Sequence, residues 1–448
     1  MQPVRPLSPE AAAPVSPLAD GVPRAEAVPV RWSLGRRLAF RFFFAYVVLY
    51  GVPFPLEALG WDAAQTAVEA FWRSVVPWLG AHVLRLDAPI AVVPTGSGDT
   101  LYDCVRMALI AVLAAGVTGA WSWVDRMRSE YTRAHDVLRV YVRYYVASAL
   151  LSYGLSKVFH LQFAAPGPER MLQPLGQFSP MGLLWTFMGV SPGYNLFTGG
   201  AEVLGAVLLF WRRTTTLGAM VLAVVMTHVV ALNVFYDVPV KFWSSYLLGL
   251  CVFLMLPDVK RLAQVLVLHQ TAVAAPPRPF LAVSGWKRWA LGGAKWSAVA
   301  WLVYAPAHAR WEVRQAHQDF PLMGLYTVES FQRDGQARPL LVGDRLGWRH
   351  VTINARGVMQ VRTLDDARVH YFRLTDDPTR RTLTLGAMGG PPVEAPVFTY
   401  ERPDAAHLVL KGRLYGADIE ARLRGVDTSR SELLGRGFRW IQEVPYNR

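Results

Sequence analysis

Cysteine is scarce in this chain, with 2 in 448 residues, and the scarcity excludes whole classes of chemistry. Cys104 and Cys251 both fall in apolar stretches, and no C-x-x-C pair occurs. A thiol–disulfide oxidoreductase and a disulfide-stapled C-terminal domain are therefore not expected. The histidines form no H-x-x-H or H-E-x-x-H pair, so no metal site is read. A haem-attachment motif, iron–sulfur spacing, a dinucleotide fingerprint and an internal repeat are also missing. Acidic residues are few, 33 Asp and Glu against 46 Lys and Arg, which leaves a net charge of +13. Such an excess suggests nucleic acid when it gathers on a soluble face. Here it is distributed between apolar segments, so no nucleic-acid partner is expected.

Apolar residues are abundant, at 52% of the chain, with a mean hydropathy of +0.22. Seven stretches read as membrane spans: 38–56, 103–124, 139–159, 194–211, 216–236, 242–257 and 289–306. Several approach the ~20 residues that a bilayer core requires. The sixth is short and the seventh carries Lys295 and glycines, so the count stands between six and eight. Segments 31–41, 125–143, 212–213 and 258–288 hold 4, 5, 2 and 5 Lys or Arg, whereas 57–100, 157–193 and 237–241 hold 2, 2 and 1. The positive-inside rule then places the N-terminus in the cytoplasm and residues 307–448 outside an inner (cytoplasmic) membrane. Arg36, Arg37 and Arg41 precede a Phe-rich stretch without a small-residue cleavage site, as in a retained signal anchor.

The organisation read from this pattern has six parts. Residues 1–30, rich in Pro and Ala, form a disordered cytoplasmic tail. Residues 31–136 hold the first spans and, over Trp61 to Leu86, an amphipathic interfacial helix. Residues 137–260 form a transmembrane bundle, 261–288 a cytoplasmic linker and 289–306 the last span. Residues 307–448 alternate in short runs near 323–332, 346–354, 357–363, 367–374, 380–387, 395–401, 406–412, 416–424 and 436–444. Turn signals such as Asn354-Ala355-Arg356-Gly357, Thr375-Asp376-Asp377-Pro378 and Arg402-Pro403-Asp404 separate most of them. About nine short strands at this spacing predict an antiparallel all-β barrel or sandwich. Gly324-Leu325-Tyr326 is similar to the opening of lipocalin-like barrels.

The candidate site lies where ionisable residues enter apolar stretches. Lys157 follows Tyr153 by four positions near the end of the third span, and His160 and Gln162 continue that region. Lys157 could equally snorkel to the interface. The next loop adds Arg170 and Gln173, then the short apolar run 183–189, which reads as re-entrant. Glu202 lies about nine residues inside the fourth span, where no snorkel reaches water, so it calls for a cation or a proton. His228, Asn233, Tyr236, Asp237 and Lys241 follow in and beyond the fifth span; the last two could form a plain interfacial salt bridge. Gly96, Ser97, Gly98, Asp99 and Thr100 read either as a backbone nest for an anion or headgroup, or as a tight turn and helix cap.

Tyr153-Gly154-Leu155-Ser156-Lys157-Val158-Phe159 with Gln162-Phe163, then Ser179-Pro180-Met181-Gly182, Glu202, Arg212-Arg213 and Asn233 to Lys241, are similar to the DoxX-type membrane proteins. The resemblance covers residues 137–260 and implies a four-helix bundle near a quinone, in a family associated with quinone-linked oxidation of sulfur compounds. Many of its members have no established activity. The overall layout also resembles the vitamin K-dependent carboxylase-like membrane proteins, which implies Lys157 as a base beside a reduced quinone. Together these imply a quinone-interacting, redox-associated subunit. Lys157 would bind or protonate the quinone, Glu202 would pair with it or pass the proton, and Asp237 with Lys241 would guard the outer mouth. A redox partner protein would bring the electrons, and the lipid bilayer is the other partner. The competing class is a non-catalytic membrane scaffold, or a lipid- or ligand-binding protein acting through its β-domain.

Overall fold

The computed structural model describes residues 31–93, 95–273, 285–316, 319–341, 347–365, 369–388, 395–437 and 439–443. The expected N-terminal tail, and residues 274–284 of the expected linker, lie outside them. A helical part comes first: α1 Leu34–Gly51, α2 Asp62–His82, α3 Leu101–Val124, α4 Thr132–Val158, α5 Pro168–Met171, α6 Pro180–Val190, α7 Pro192–Leu209, α8 Thr215–Phe235, α9 Lys241–Met255, α10 Val259–Leu266 and α11 Trp286–Ala316. The strands are β1 Gly324–Arg333, β2 Gln336–Arg338, β3 Trp348–Ile353, β4 Val358–Thr363, β5 Val369–Asp377, β6 Thr382–Ala387, β7 Val397–Glu401, β8 His407–Leu414 and β9 Ala417–Val426. A short α12, Glu432–Gly435, follows them.

Helices form at all seven expected spans, but among the described residues only three are long and apolar enough to cross a membrane: Leu101–Val124, Thr215–Phe235 and Lys241–Leu266. The seven-span expectation is thus not met as stated. Arg36, Arg37 and Arg41 crowd the 18 residues of α1, and Arg133, Asp136, Arg139, Arg143 and Lys157 interrupt α4. The first turn of α7 is Pro192, Gly193, Tyr194 and Asn195, and α11 carries Lys287, Arg288 and Lys295. The sixth stretch is longer than its apolar run suggested. α9 passes through a 3-10 turn at Leu256–Asp258 into α10, which gives 26 helical residues.

α4, α7, α8 and α9 pack in a closed ring, each against the next and α9 back against α4. Glycines set the separations. A Cβ on Gly154 would lie 2.8 Å from the Gly199 carbonyl oxygen, and one on Gly199 would lie 2.7 Å from the Gly154 oxygen. One on Gly218 would lie 2.9 Å from the Gly205 oxygen, so α4–α7 and α7–α8 both touch backbone to backbone. The ring encloses Leu150, Leu151, Ala206, Leu209, Leu222, Met226, Leu247 and Leu250.

Polar ties close the end of the bundle where α4 begins. The buried Arg41 guanidinium donates to the Tyr131 hydroxyl at 3.0 Å and 2.5 Å, to Ser122 Oγ at 2.6 Å and to the Asp125 carbonyl at 3.0 Å. Asp258 takes Arg139 at 3.2 Å, Arg261 at 2.8 Å and the Thr216 hydroxyl at 2.5 Å, which joins α4, α8 and the 3-10 turn.

The C-terminal part is a closed eight-stranded antiparallel barrel. β1, β3, β4, β5, β6, β7, β8 and β9 follow in order, and β9 returns to β1 from Leu325↔Val426 to Arg333↔Ile419. β2 is a short flap on the far end of β1. The expected strand at 436–444 is absent among the described residues, which run as irregular chain after α12. Asn354 Oδ1 accepts from the Arg356 and Val358 amides at 3.0 Å, and Gly357 takes φ +69, so that turn forms where its residues predicted. The Thr375–Asp377 signal instead stays inside β5, and the chain turns at residues 378–381. Phe331, Trp348, Val351, Ile353, Phe398, Leu408 and Leu423 belong to one packed core, so the barrel interior is filled with side chains.

Candidate functional site

The glycine contact between α4 and α7 positions the central pair. Lys157 stands one residue short of the end of α4, and Glu202 lies in the second half of α7, one turn beyond Gly199. Their backbones are held so close that Lys157 Nζ reaches both Glu202 oxygens, at 2.8 Å and 2.9 Å. The side chains are 8% and 2% exposed. At that burial each charge needs the other, since an unpaired charge in an apolar setting costs several kcal/mol.

The pair faces a cavity of about 470 Å³. α4 contributes Leu150 and Tyr153, the following loop Gln162 and Phe163, α6 Leu184, Trp185 and Met188, α8 His228 and Asn233, and α9 Trp243 and Ser244. Asn233 Nδ2 donates to Ser244 Oγ at 3.0 Å, which fixes α8 against α9. Asn195, fully buried in the first turn of α7, donates to the Phe163 and Met188 carbonyls at 3.2 Å and 3.1 Å and so ties loop and α6 to the ring. Among the described residues Gln162 Oε1 is buried without a hydrogen-bond partner, an acceptor left for whatever enters. On the side of Phe197 and Val224, 70% and 73% exposed, the wall faces outward from the bundle.

The structure therefore gathers Tyr153, Lys157, Gln162, Glu202, His228, Asn233 and Gly96 around one cavity. The other expected residues do not line it. Asp237, 82% exposed, and Lys241 pair with each other at 3.0 Å on the rim, while Val238, Pro239 and Val240 between them form the wall. They are surface ions, because Asp237 sits at φ +51 in the turn after α8 and points away. Tyr236 is exposed on the same turn. His160 Nε2 donates to the Pro192 carbonyl at 3.2 Å. Arg170 donates to Gln173 Oε1 at 2.7 Å and stacks 5.4 Å from the Phe178 ring, so both serve the loop around α5.

At Gly96–Thr100 the geometry is that of the second reading, a tight turn and helix cap. The Ser97 amide donates to Thr95 Oγ1, Gly98 to the Pro239 carbonyl, Asp99 to Ser97 Oγ and Thr100 to Asp103 Oδ2. These amides are spent inside the protein. Thr100 and Asp103 form a capping box on α3, and Asp99 accepts from the Lys241 and Phe242 amides at 2.8 Å and 3.1 Å, capping α9 from 142 residues away.

Two contributions escaped the sequence reading. Trp185 and Trp243 supply the largest apolar walls, and in sequence they are two among 16 tryptophans. Arg310 of α11 donates to Ser156 Oγ at 2.9 Å and to Ser152 Oγ, and Arg314 donates to the Phe159 carbonyl at 2.7 Å. The helix that leads into the barrel is thereby fastened to the turn of α4 that carries Lys157.

Fold and site together define a class: a helical bundle in which three of the described helices are long and apolar enough to cross a membrane, a buried Lys–Glu pair on a cavity, and a C-terminal β-barrel. No family model and no solved structure matches the chain. Over 119 residues, 27% of this chain and 75% of the relative, it is 34% identical to the uncharacterized protein YwoB of Bacillus subtilis (strain 168). The chain belongs to the family of that protein.

Proposed function

We propose that the bundle binds an isoprenoid quinone in the cavity beside Lys157 and Glu202, and acts as a quinone-interacting subunit of a redox system. The observation that carries this is the buried ion pair set on a largely apolar cavity of about 470 Å³. The residues fit such a head group. Trp185, Trp243 and Tyr153 offer flat apolar faces, the Lys157 ammonium offers donors to a carbonyl oxygen, and the orphaned Gln162 Oε1 can accept from a hydroxyl. The outward-facing side at Phe197 and Val224 suits a prenyl chain arriving from lipid.

A bound quinone would supply two-electron, two-proton chemistry, with the electrons brought by a partner protein. Lys157 would hold the head group, and Glu202 would take up or return the proton that Lys157 shares with it. Held by both Glu202 oxygens, Lys157 is a donor; a role as base would require the pair to open first.

The same reading takes α1, α3, α4, α7, α8, α9 with α10, and α11 as spans of an inner membrane, with the Arg41 end cytoplasmic and the barrel outside. α11 supports it: Trp289 and Trp311 are 22 residues apart, about 33 Å of helix, close to a bilayer core bounded by interfacial aromatics. Mass spectrometry of lipids and quinones that co-purify with wild type and with the Lys157→Met/Glu202→Gln double variant tests the proposal. Quinone enriched in the wild type alone is the expected result. Equal or absent quinone in both would make the pair a packing pin and leave the scaffold reading.

A further inference from the structure

A second cavity of about 660 Å³ adjoins the first and shares Gly96, Tyr153, Val240 and Trp243 with it. Its lining is more polar, and most of its charges are accounted for. Arg73 pairs with Glu69 at 3.5 Å, and the Asp103 carboxylate is held in the capping box of α3 by the Thr100 amide and hydroxyl at 3.1 Å and 2.6 Å. Two opposite charges remain. Among the described residues, neither Glu57 nor Arg106 has an ion-pair partner, although both line this cavity and both bear on Tyr145 in its wall. The Arg106 guanidinium lies 5.4 Å from the Trp72 ring centroid, and its Nε is buried without a hydrogen-bond partner. Tyr50, Tyr102 and Tyr145 add aromatic surface to the same cavity.

A guanidinium with free donors takes a phosphate in two parallel hydrogen bonds, and a carboxylate flanked by aromatic rings takes an ammonium. One ligand answers both needs without leaving either charge alone. We propose that this cavity binds a zwitterionic phosphate–ammonium group, with the phosphate on Arg106 and the primary ammonium on Glu57. A purely anionic headgroup would satisfy Arg106 but would meet the Glu57 charge unpaired. The shared wall leads from this polar compartment to the apolar cavity, which is the layout an aminophospholipid requires. The same group also occurs on soluble phosphoethanolamine esters. The headgroup assignment does not depend on what occupies the apolar cavity, whereas the chains of a whole lipid would compete there with a quinone.

Native mass spectrometry of the purified full chain, mixed with equal amounts of phosphatidylethanolamine and phosphatidylglycerol, tests it. The wild type is expected to retain phosphatidylethanolamine roughly tenfold over phosphatidylglycerol, and Arg106→Gln and Glu57→Gln each to lose roughly tenfold of that retention. Arg106→Lys keeps the charge without the fork and should fall between, which separates a lost contact from a misfolded chain. Displacement by glycerophosphoethanolamine would identify the headgroup alone as sufficient, whereas retention against it would identify the whole lipid. Equal retention of both lipids by the wild type, or an unchanged Glu57→Gln variant, would overturn the proposal.

Discussion

Removing one member of the Lys157–Glu202 pair should cost far more than removing both. With side chains 8% and 2% exposed, truncating either leaves its partner as an uncompensated charge in an apolar wall, worth about 3–5 kcal/mol. Lys157→Met and Glu202→Leu should each lose about that much. Glu202→Gln should sit at the low end, because the amide oxygen still accepts from Lys157 Nζ. The double variant Lys157→Met/Glu202→Leu places two apolar side chains against apolar neighbours, and comparable replacements range from neutral to stabilising by about 1–4 kcal/mol. The cycle should therefore close with a coupling of at least about 6 kcal/mol between residues 45 positions apart. Unfolding in mixed dodecyl sulfate micelles, followed by far-ultraviolet circular dichroism, measures all four proteins. Single variants within about 0.5 kcal/mol of wild type would refute the burial argument. A double variant as damaged as the two singles combined would show that the residues act apart.

The α4–α7 contact gives an internal control, since a Cβ on Gly199 would meet the Gly154 oxygen at 2.7 Å whereas one on Gly200 meets nothing within 4 Å. Gly199→Ala should destabilise by about 1–3 kcal/mol and Gly200→Ala should be neutral or slightly stabilising in the same assay. Arg310→Met removes the bonds to Ser152 and Ser156 and should raise amide hydrogen exchange in the last turns of α11 while leaving that of the barrel strands unchanged. In the barrel, the buried Tyr326 hydroxyl donates to the Leu322 carbonyl at 2.9 Å, so Tyr326→Phe should cost about 1 kcal/mol on thermal unfolding. The His407 side chain, then the Ala406 amide, hold the Asp404 carboxyl below its ordinary value of 3.8. Its contribution is thus complete above that pH and is lost as pH falls through the lower folded value. Asp404→Asn should flatten the acid limb of the stability curve below about pH 4, and an identical limb would exclude the contact.

The helices were legible because their apolar runs are long, and eight strands were legible because polar turns cut alternating runs at regular intervals. Asp334-Gly335 shows what was passed over: with φ of +50 and +72 it makes the two-residue hairpin into β2, a turn its residues favour strongly. The 436–444 strand was read from local alternation, but β9 had already closed the barrel onto β1, and the three-residue β2 is the remaining edge. At the site, Lys157 and Glu202 could be singled out because charge in an apolar run stands out by type. Asp237 and Lys241 stood out equally, and nothing local revealed that a positive φ at Asp237 turns them to the rim. Trp185, Trp243 and Arg310 could not be found in this way. Their roles depend on which helix faces which, information that resides in glycine contacts between distant segments.

Those contacts also explain why the pair sits where it does. In lipid, helices gain little from burying apolar side chains against one another, so close backbone approach through small residues carries much of the association. Gly154 and Gly199 provide one such approach and Gly205 with Gly218 another, and Glu202 lies on α7 between the two. At this point the helices are nearest and water has least room, so the attraction between Lys157 and Glu202 is least screened. Three residues of α7, Gly199, Glu202 and Gly205, recur at a spacing of three and use one face for both purposes. A substitution that widens the Gly154–Gly199 contact therefore weakens the ion pair as well as the packing. Stability lost at Gly199→Ala should accordingly exceed that lost when the same change is made in the Lys157→Met/Glu202→Leu background, where no pair remains to be stretched.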